Sequence, residues 1–217
     1  MKIGNGIYRA DSIDYNQYSF DHWEIDGQTV TGAYTMTQNF AAVAKFVAVQ
    51  VVQPTQEGDT AVVDFSDVEE GKTGVYEAPA DASGKLKITT KTAEFHLDDQ
   101  SALAGKAVTA SCSTIPNPSE TRGVAYELQF LSNGTSVNTK MTITVPFSGD
   151  GTPYVYWFTN SGQMVPMNIV SHGDGKVTFE TDHNSTYIVS NEGHSGNPGA
   201  QIFAIVAIVL GLVVVAV

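Results

Sequence analysis

The sequence predicts an all-β chain that ends in a transmembrane helix, and three observations carry this expectation. Almost no helical periodicity occurs before residue 200. Short runs rich in β-branched and aromatic residues recur instead, separated by turn dipeptides, as strands are. From Ile202 to Val217 every residue is apolar or Gly.

Taken in order, Tyr18–Ile25 faces Gln28–Val30 across Asp26-Gly27, and Asp-Gly between two alternating runs is a strong hairpin signal. Phe40–Val52 reads as a long apolar strand. Ala61–Phe65, Gly74–Tyr76, Lys85–Thr90, Ala93–Leu97 and Ala107–Ser111 then follow at the spacing of an all-β domain. Asp98–Leu103 reads as a helical turn capped by Asp98 or Asp99. Beyond it come Ala125–Leu131, Lys140–Pro146, Tyr154–Thr159, Met164–Ile169, Val177–Glu180 and Thr186–Val189. Their connections carry turn chemistry at Asn133-Gly134, Ser148 to Gly151, Asn160-Ser161-Gly162 and Gly173-Asp174-Gly175. In Lys140–Val145, Met141, Ile143 and Val145 point one way and Thr142 and Thr144 the other, as in a strand with one face on a core and one in water. A β-sandwich is the expected architecture.

As a helix, the apolar run would be about 24 Å long against a hydrocarbon core of roughly 30 Å, and Ala200, Gln201 or local bilayer thinning narrows the gap. A buried core helix or strand is the competing reading, although a run of this length without a turn signal exceeds an ordinary strand. No Lys or Arg follows it, so the usual charge cue to orientation is missing. Gly193–Gly199 reads as a flexible linker into the tail.

The chain has 217 residues and a formal charge of −12, from 11 Lys and Arg against 23 Asp and Glu. Binding a phosphate backbone needs a clustered basic face, which this sequence lacks, so a nucleic-acid partner is excluded. Cys112 is the single cysteine, which rules out an intrachain disulfide and reads as a small buried hydrophobe. Met1 to Asp26 shows neither the basic start nor the apolar run of a secretory signal. The expectation is therefore either a tail-anchored protein facing the cytoplasm or the back end of a longer exported chain.

Two resemblances favour the second. Tyr18, Phe20, Trp23, the Asp26-Gly27 turn, Val30, Tyr34, Met36 and Ala44-Lys45-Phe46 fall at the spacing of a repeat motif. Residues 15–46 thereby resemble the back half of the internalin-type B repeat of bacterial and archaeal surface proteins, with Trp23 as its central core residue. Further on, Met141 to Phe147, Tyr154 to Trp157 with Ser161-Gly162 and Met167, and Val177 to Tyr187 occur in series. This stretch is similar to the β-domain that precedes anchor or cell-wall modules in Firmicutes and methanogen surface proteins. Its most specific part is the Thr181-Asp182-His183-Asn184-Ser185-Thr186-Tyr187 segment, where Asn184 stands at a position the family usually gives to Phe. Neither resemblance brings catalytic residues. Both imply extracellular scaffolding, adhesion or stalk function.

The implied organisation is a partial B-repeat-like β module at 1–50, an immunoglobulin-like β-sandwich at 51–192, a linker at 193–200 and a transmembrane helix at 201–217. The localisation that follows is the cell surface, with the β modules outside the cytoplasmic membrane and surface glycans or proteins as partners. The competing reading is a carbohydrate-binding accessory module of a larger exported enzyme.

Candidate sites are few. Asp182 and His183, with His172 nearby, suit an acid–base pair or metal site, but no third ligand arrives at recognisable spacing. The structural alternative is that Asp182, His183 and Tyr187 fix the loop before the final strand. Gly193-His194-Ser195-Gly196-Asn197 misses the nucleophile-elbow pattern at its last position, and a linker supplies neither the strand nor the helix that an elbow needs. Asp64–Glu70 lacks the Ca²⁺-loop spacing and reads as a solvated edge. No phosphate loop, dinucleotide fingerprint or H-E-x-x-H is present, so no enzyme activity, cofactor or metal is expected. Asn133 and Asn184 open glycosylation sequons. Tyr154, Tyr156, Trp157 and Phe158 occupy both faces of one strand; half should be core, and the rest offer a binding strip for glycan or peptide, with Tyr154, Tyr156 and Trp157 as its candidates.

Overall fold

The computed structural model describes residues 2–3, 6–7, 18–30 and 41–193. The linker beyond residue 193 and the apolar segment 201–217 lie outside them, as do Tyr34 and Met36 of the repeat motif. Among the described residues no helix is long and apolar enough to cross a membrane.

In chain order the strands are β1 (Lys2–Ile3), β2 (Gly6–Ile7), β3 (Tyr18–Ile25), β4 (Gln28–Val30), β5 (Ala42–Val51), β6 (Thr55–Glu57), β7 (Thr60–Asp64), β8 (Lys72–Glu77), β9 (Lys85–Thr89) and β10 (Glu94–Leu97). A 3-10 turn, Ser101–Leu103, precedes β11 (Ala107–Ile115), β12 (Val124–Ser132), β13 (Thr135–Ser136) and β14 (Met141–Pro146). The remainder are β15 (Tyr154–Phe158), β16 (Met164–Pro166), β17 (Ile169–Gly173), β18 (Lys176–Thr181) and β19 (Ser185–Ser190). The described residues are all-β, as the sequence predicts for this part of the chain, and almost all of these strands fall into two sheets.

One sheet has seven strands in the order β17-β18-β14-β10-β9-β7-β6. The other has ten, running β16-β15-β19-β12-β11-β8-β5-β3-β4 with β13 beside β12. Alternation explains how they pack. In β14, Met141, Ile143 and Val145 are buried, while Thr142 and Thr144 face outward, where the Thr144 hydroxyl bonds Thr178 at 2.8 Å. Across the interior, Phe95 of the seven-stranded sheet stacks on Phe130 of the ten-stranded one at 5.9 Å, and Phe179 meets Tyr187 at 5.1 Å. One continuous core results, running from Val63 and Leu86 to Val177 and Val189. Burying a side chain of this size contributes about 1.5–3 kcal/mol.

The front hairpin turns where the sequence places it. Asp26 and Gly27 both take positive φ (49° and 80°), the backbone of a type I′ turn. Its third strand, β5, pairs with β3 along most of its length. At Ala48–Val51 it also runs parallel to Lys72–Val75 of β8, which joins the hairpin to the larger sheet across the 50/51 position.

One element differs from expectation. Met164–Ile169, read as a single strand, is two: β16 pairs with β15 in one sheet and β17 pairs with β18 in the other. The β15–β16 ladder carries one bond past Pro166, from Met167 N to Val155 O (2.8 Å), and Asn168 then takes the chain across to β17. Asn168 anchors the crossing, since its carbonyl accepts from Glu180 N (3.0 Å) and its side-chain amide donates to the Glu180 carboxylate (2.8 Å).

Candidate functional site

The residues singled out around the last two strands come together at one end of the ten-stranded sheet. After β18 the chain turns through Asp182-His183-Asn184 to enter β19 in the opposite sheet. Tyr187 holds this turn from inside the core. Its hydroxyl donates to the His183 carbonyl (2.9 Å) and forms a short hydrogen bond with Thr181 Oγ1. Fully buried, the phenol is pushed up to about 12 by desolvation, so it remains a hydrogen-bond donor throughout the ordinary pH range.

His183 Nδ1 lies 2.8 Å from Asp182 Oδ1 and donates to it. That bond holds the exposed Asp182 carboxyl below the usual carboxylate range. The His183 ring packs edge-on against Trp157 at 4.4 Å, and its Nε2 is buried with no hydrogen-bond partner among the described residues. Asn184 closes the turn by imitating a strand: its side chain accepts from Phe130 N (2.8 Å) and donates to Phe130 O (3.0 Å). Asn184 therefore extends the β12–β19 ladder by one side-chain pair. No group of three or more His, Cys, Asp or Glu arranged to hold a metal occurs among the described residues. His172 lies on β17, an edge strand of the other sheet, and is not brought to His183.

On β15 the aromatics separate by face. Val155 and Trp157 point inward, and Trp157 Nε1 donates to Ser185 Oγ (2.8 Å). Tyr154 and Tyr156 share the outer face and stack at 6.4 Å with nearly parallel rings. The structure thus brings Tyr154 and Tyr156 together and places Trp157 on the opposite side of the strand. Tyr156 is buried beside its cross-strand partner Ile188, which in turn faces Ala125. The β11–β12 loop, residues 116–123, lies on this same face, where Thr121 Oγ1 approaches Met164 Sδ at 3.8 Å. The loop is self-supporting, since the Asn117 amide donates to the carbonyls of Thr121 and Gly123 and its oxygen accepts from Ser119.

Between these parts lies a groove of about 670 Å³. It opens because β19 starts only at Ser185, whereas its neighbour β12 continues to Ser132, leaving space between β12, the end of β15 and the β11–β12 loop. Phe158, Thr186, Glu127, Gln129, Asn160 and Pro118 are among the residues that line it. Sequence reasoning places Phe158 in the aromatic run of this strand but does not single out Glu127 or Gln129. Their signal, outward positions on adjacent strands, exists only once the register Phe158↔Thr186↔Glu127 is known.

The remaining candidates lie elsewhere. Asn133 is exposed at the tip of the β12–β13 turn with φ 48°, and its Oδ1 accepts from Ala107 N (2.9 Å). Trp23 is half-buried on β3 opposite Ala44 and Val30. Burial pushes the Cys112 thiol up to about 12, which leaves it a neutral, unreactive group.

No family model, curated protein or solved structure matches this chain.

Proposed function

We propose that this chain is a non-enzymatic cell-surface protein, with β modules presented outside the membrane as an adhesion or stalk scaffold and held there by the apolar segment 201–217. The observation that carries the reading is the joined frame. From β5 to β19 two large sheets share one core, their side chains are spent on packing and hydrogen bonding, and the apolar run follows the last strand after a short Gly-rich stretch.

The finer architecture in this reading is immunoglobulin-like. The order β10-β14-β18-β17 in one sheet and β12-β19-β15-β16 in the other, with β14→β15 and β18→β19 crossing between them, supports it. So does Tyr187, whose hydroxyl bonds the backbone four residues upstream at a corner, as in a tyrosine corner. The N-terminal hairpin belongs to the B-repeat-like module. A second reading, a carbohydrate-binding accessory module, is favoured by the groove alone.

Membrane fractionation tests the anchor. The full chain should partition with membranes and residues 1–200 should remain soluble, because a buried apolar helix of this length contributes several kcal/mol of transfer free energy. A full chain that stays in the aqueous phase without detergent would sink the proposal.

A further inference from the structure

We infer that the groove beside Asn184 binds a neutral glycan. The size falls within the range of small-ligand sites. Its chemistry narrows the class. Among the described residues that line it there is no Lys or Arg, its one histidine, His183, is paired with the Asp182 carboxylate, and Glu127 adds a carboxylate to a chain already carrying −12. Phosphorylated, sulfated and uronic-acid ligands are therefore repelled.

An extended peptide is disfavoured for a different reason. Peptides bound by strand addition need open backbone donors and acceptors at a sheet edge. Here those groups are taken. Asn184 occupies both polar groups of Phe130, Leu131 pairs with Ser136, and β15 is paired on both sides by β16 and β19. Recognition is left to side chains.

Those side chains form a row. Phe158, Thr186 and Glu127 are direct cross-strand partners on one face, so an aromatic ring, a hydroxyl and a carboxylate stand side by side at strand spacings of about 4.8 Å. Gln129 follows Glu127 two residues on, on the same face, about 7 Å away. A pyranose presents a flat C–H face suited to an aromatic ring, and vicinal hydroxyls that can donate to a carboxylate and exchange hydrogen bonds with an amide. Asn160 adds another amide to the lining. Glu127 and Gln129 are exposed and Phe158 is half-buried, so all three are placed to meet a ligand without unfolding.

The inference depends on the scaffold reading only for where the glycan would be met, and its test needs no membrane. The full chain, held in a detergent without a sugar headgroup, is titrated calorimetrically with cellohexaose, chitohexaose and mannohexaose. Oligogalacturonate and a neutral Ser/Thr-rich peptide serve as competitors of other classes. The expected result is saturable binding of at least one neutral oligosaccharide, weakened about tenfold or more by Phe158→Ala and by Glu127→Ala with Gln129→Ala. Thr142→Ala, on the outer face of the other sheet, should leave binding unchanged. Equal melting temperatures across the variants show that the loss is local, and the double variant at exposed positions guards against Phe158→Ala failing to fold. Absence of binding by all three sugars, binding indifferent to the groove variants, or preference for oligogalacturonate or the peptide overturns the assignment. Such failures leave the fractionation result untouched.

Discussion

Asn184 shows how much one side chain can decide. Its amide makes both hydrogen bonds that a strand residue would make with Phe130, at the point where β19 leaves the sheet. Removing it leaves a backbone donor and acceptor short of partners in a partly buried place, and an unsatisfied group of that kind costs about 1–3 kcal/mol. Asn184→Ala is expected to destabilise the chain by that amount in urea unfolding. Asn184→Asp should do no better despite its shape, because a carboxylate oxygen then faces the Phe130 carbonyl. An Asn184→Asp variant as stable as the wild type would show that the amide donor is not needed there. The same geometry bears on the two sequons, since Asn133, exposed at a turn tip, uses only its side-chain oxygen, accepting from Ala107 N, whereas both polar groups of the Asn184 amide are engaged with Phe130. Gln100 plays a similar part at the other end of the core. Almost fully buried, it accepts from the Tyr76 hydroxyl (3.0 Å) and donates to the carbonyls of Ser83 and Lys85.

At the level of elements, the outer face of the seven-stranded sheet is organised around Glu94 on β10. Lys176 from β18 donates to one of its oxygens (2.8 Å), while Lys87 from β9 (3.0 Å) and His96 (3.4 Å) meet the other. The hydrogen bond from Lys176, with Lys87 adding to it, brings the Glu94 carboxyl down from 4.5 to about 2. A depressed carboxylate contributes stability that is complete above its unfolded pKa and is lost as pH falls through the folded one. The window here is therefore about pH 4.5 down to about pH 2. After discounting for solvent screening around the exposed lysines, Glu94→Gln should cost about 1–2 kcal/mol at pH 7 and almost nothing at pH 2. Denaturant unfolding of both proteins at the two pH values measures the difference; an equal gap at both would remove the ion cluster as its cause. This cluster was not legible in the sequence, because Glu94, Lys87 and Lys176 come from three strands whose adjacency only the sheet order supplies. Local signals did better. The Asp26-Gly27 turn and the alternation of Met141 to Val145 depend on backbone conformation and burial within a few residues, and both are found where the sequence puts them. Reading Met164–Ile169 as one strand failed because the largely apolar run continues while its pairing partner changes, from β15 up to Met167 to β18 from Ile169. Glu127 and Gln129 escape notice, and Phe158 of the aromatic run cannot be joined to them, for the same reason as the ion cluster, since their grouping depends on register.

Across the whole molecule, the parallel pairing of β5 with β8 determines whether the front hairpin behaves as part of the sandwich. Four residue pairs, Ala48↔Lys72 through Val51↔Val75, join them, and Val52 N continues the ladder to Val75 O at 2.8 Å. A two-stranded hairpin is marginal in water by itself, so β3 and β4 draw their stability from β5 and, through it, from β8 and the core behind Val75 and Tyr76. The prediction is coupled unfolding. The chain has two tryptophans, Trp23 in the hairpin and Trp157 in the sandwich. In a Trp157→Phe variant, tryptophan fluorescence reports the hairpin alone while far-ultraviolet circular dichroism reports mainly the two sheets. The variant should melt at a lower temperature than the parent, having lost the bond to Ser185. Within the variant the two signals should nonetheless change together, as coincident probes do in a two-state transition. If Trp23 becomes solvent-exposed well before the circular dichroism signal falls, the pairing with β8 is too weak to couple them. The hairpin would then be a separate unit tethered to the sandwich at the β5–β8 seam.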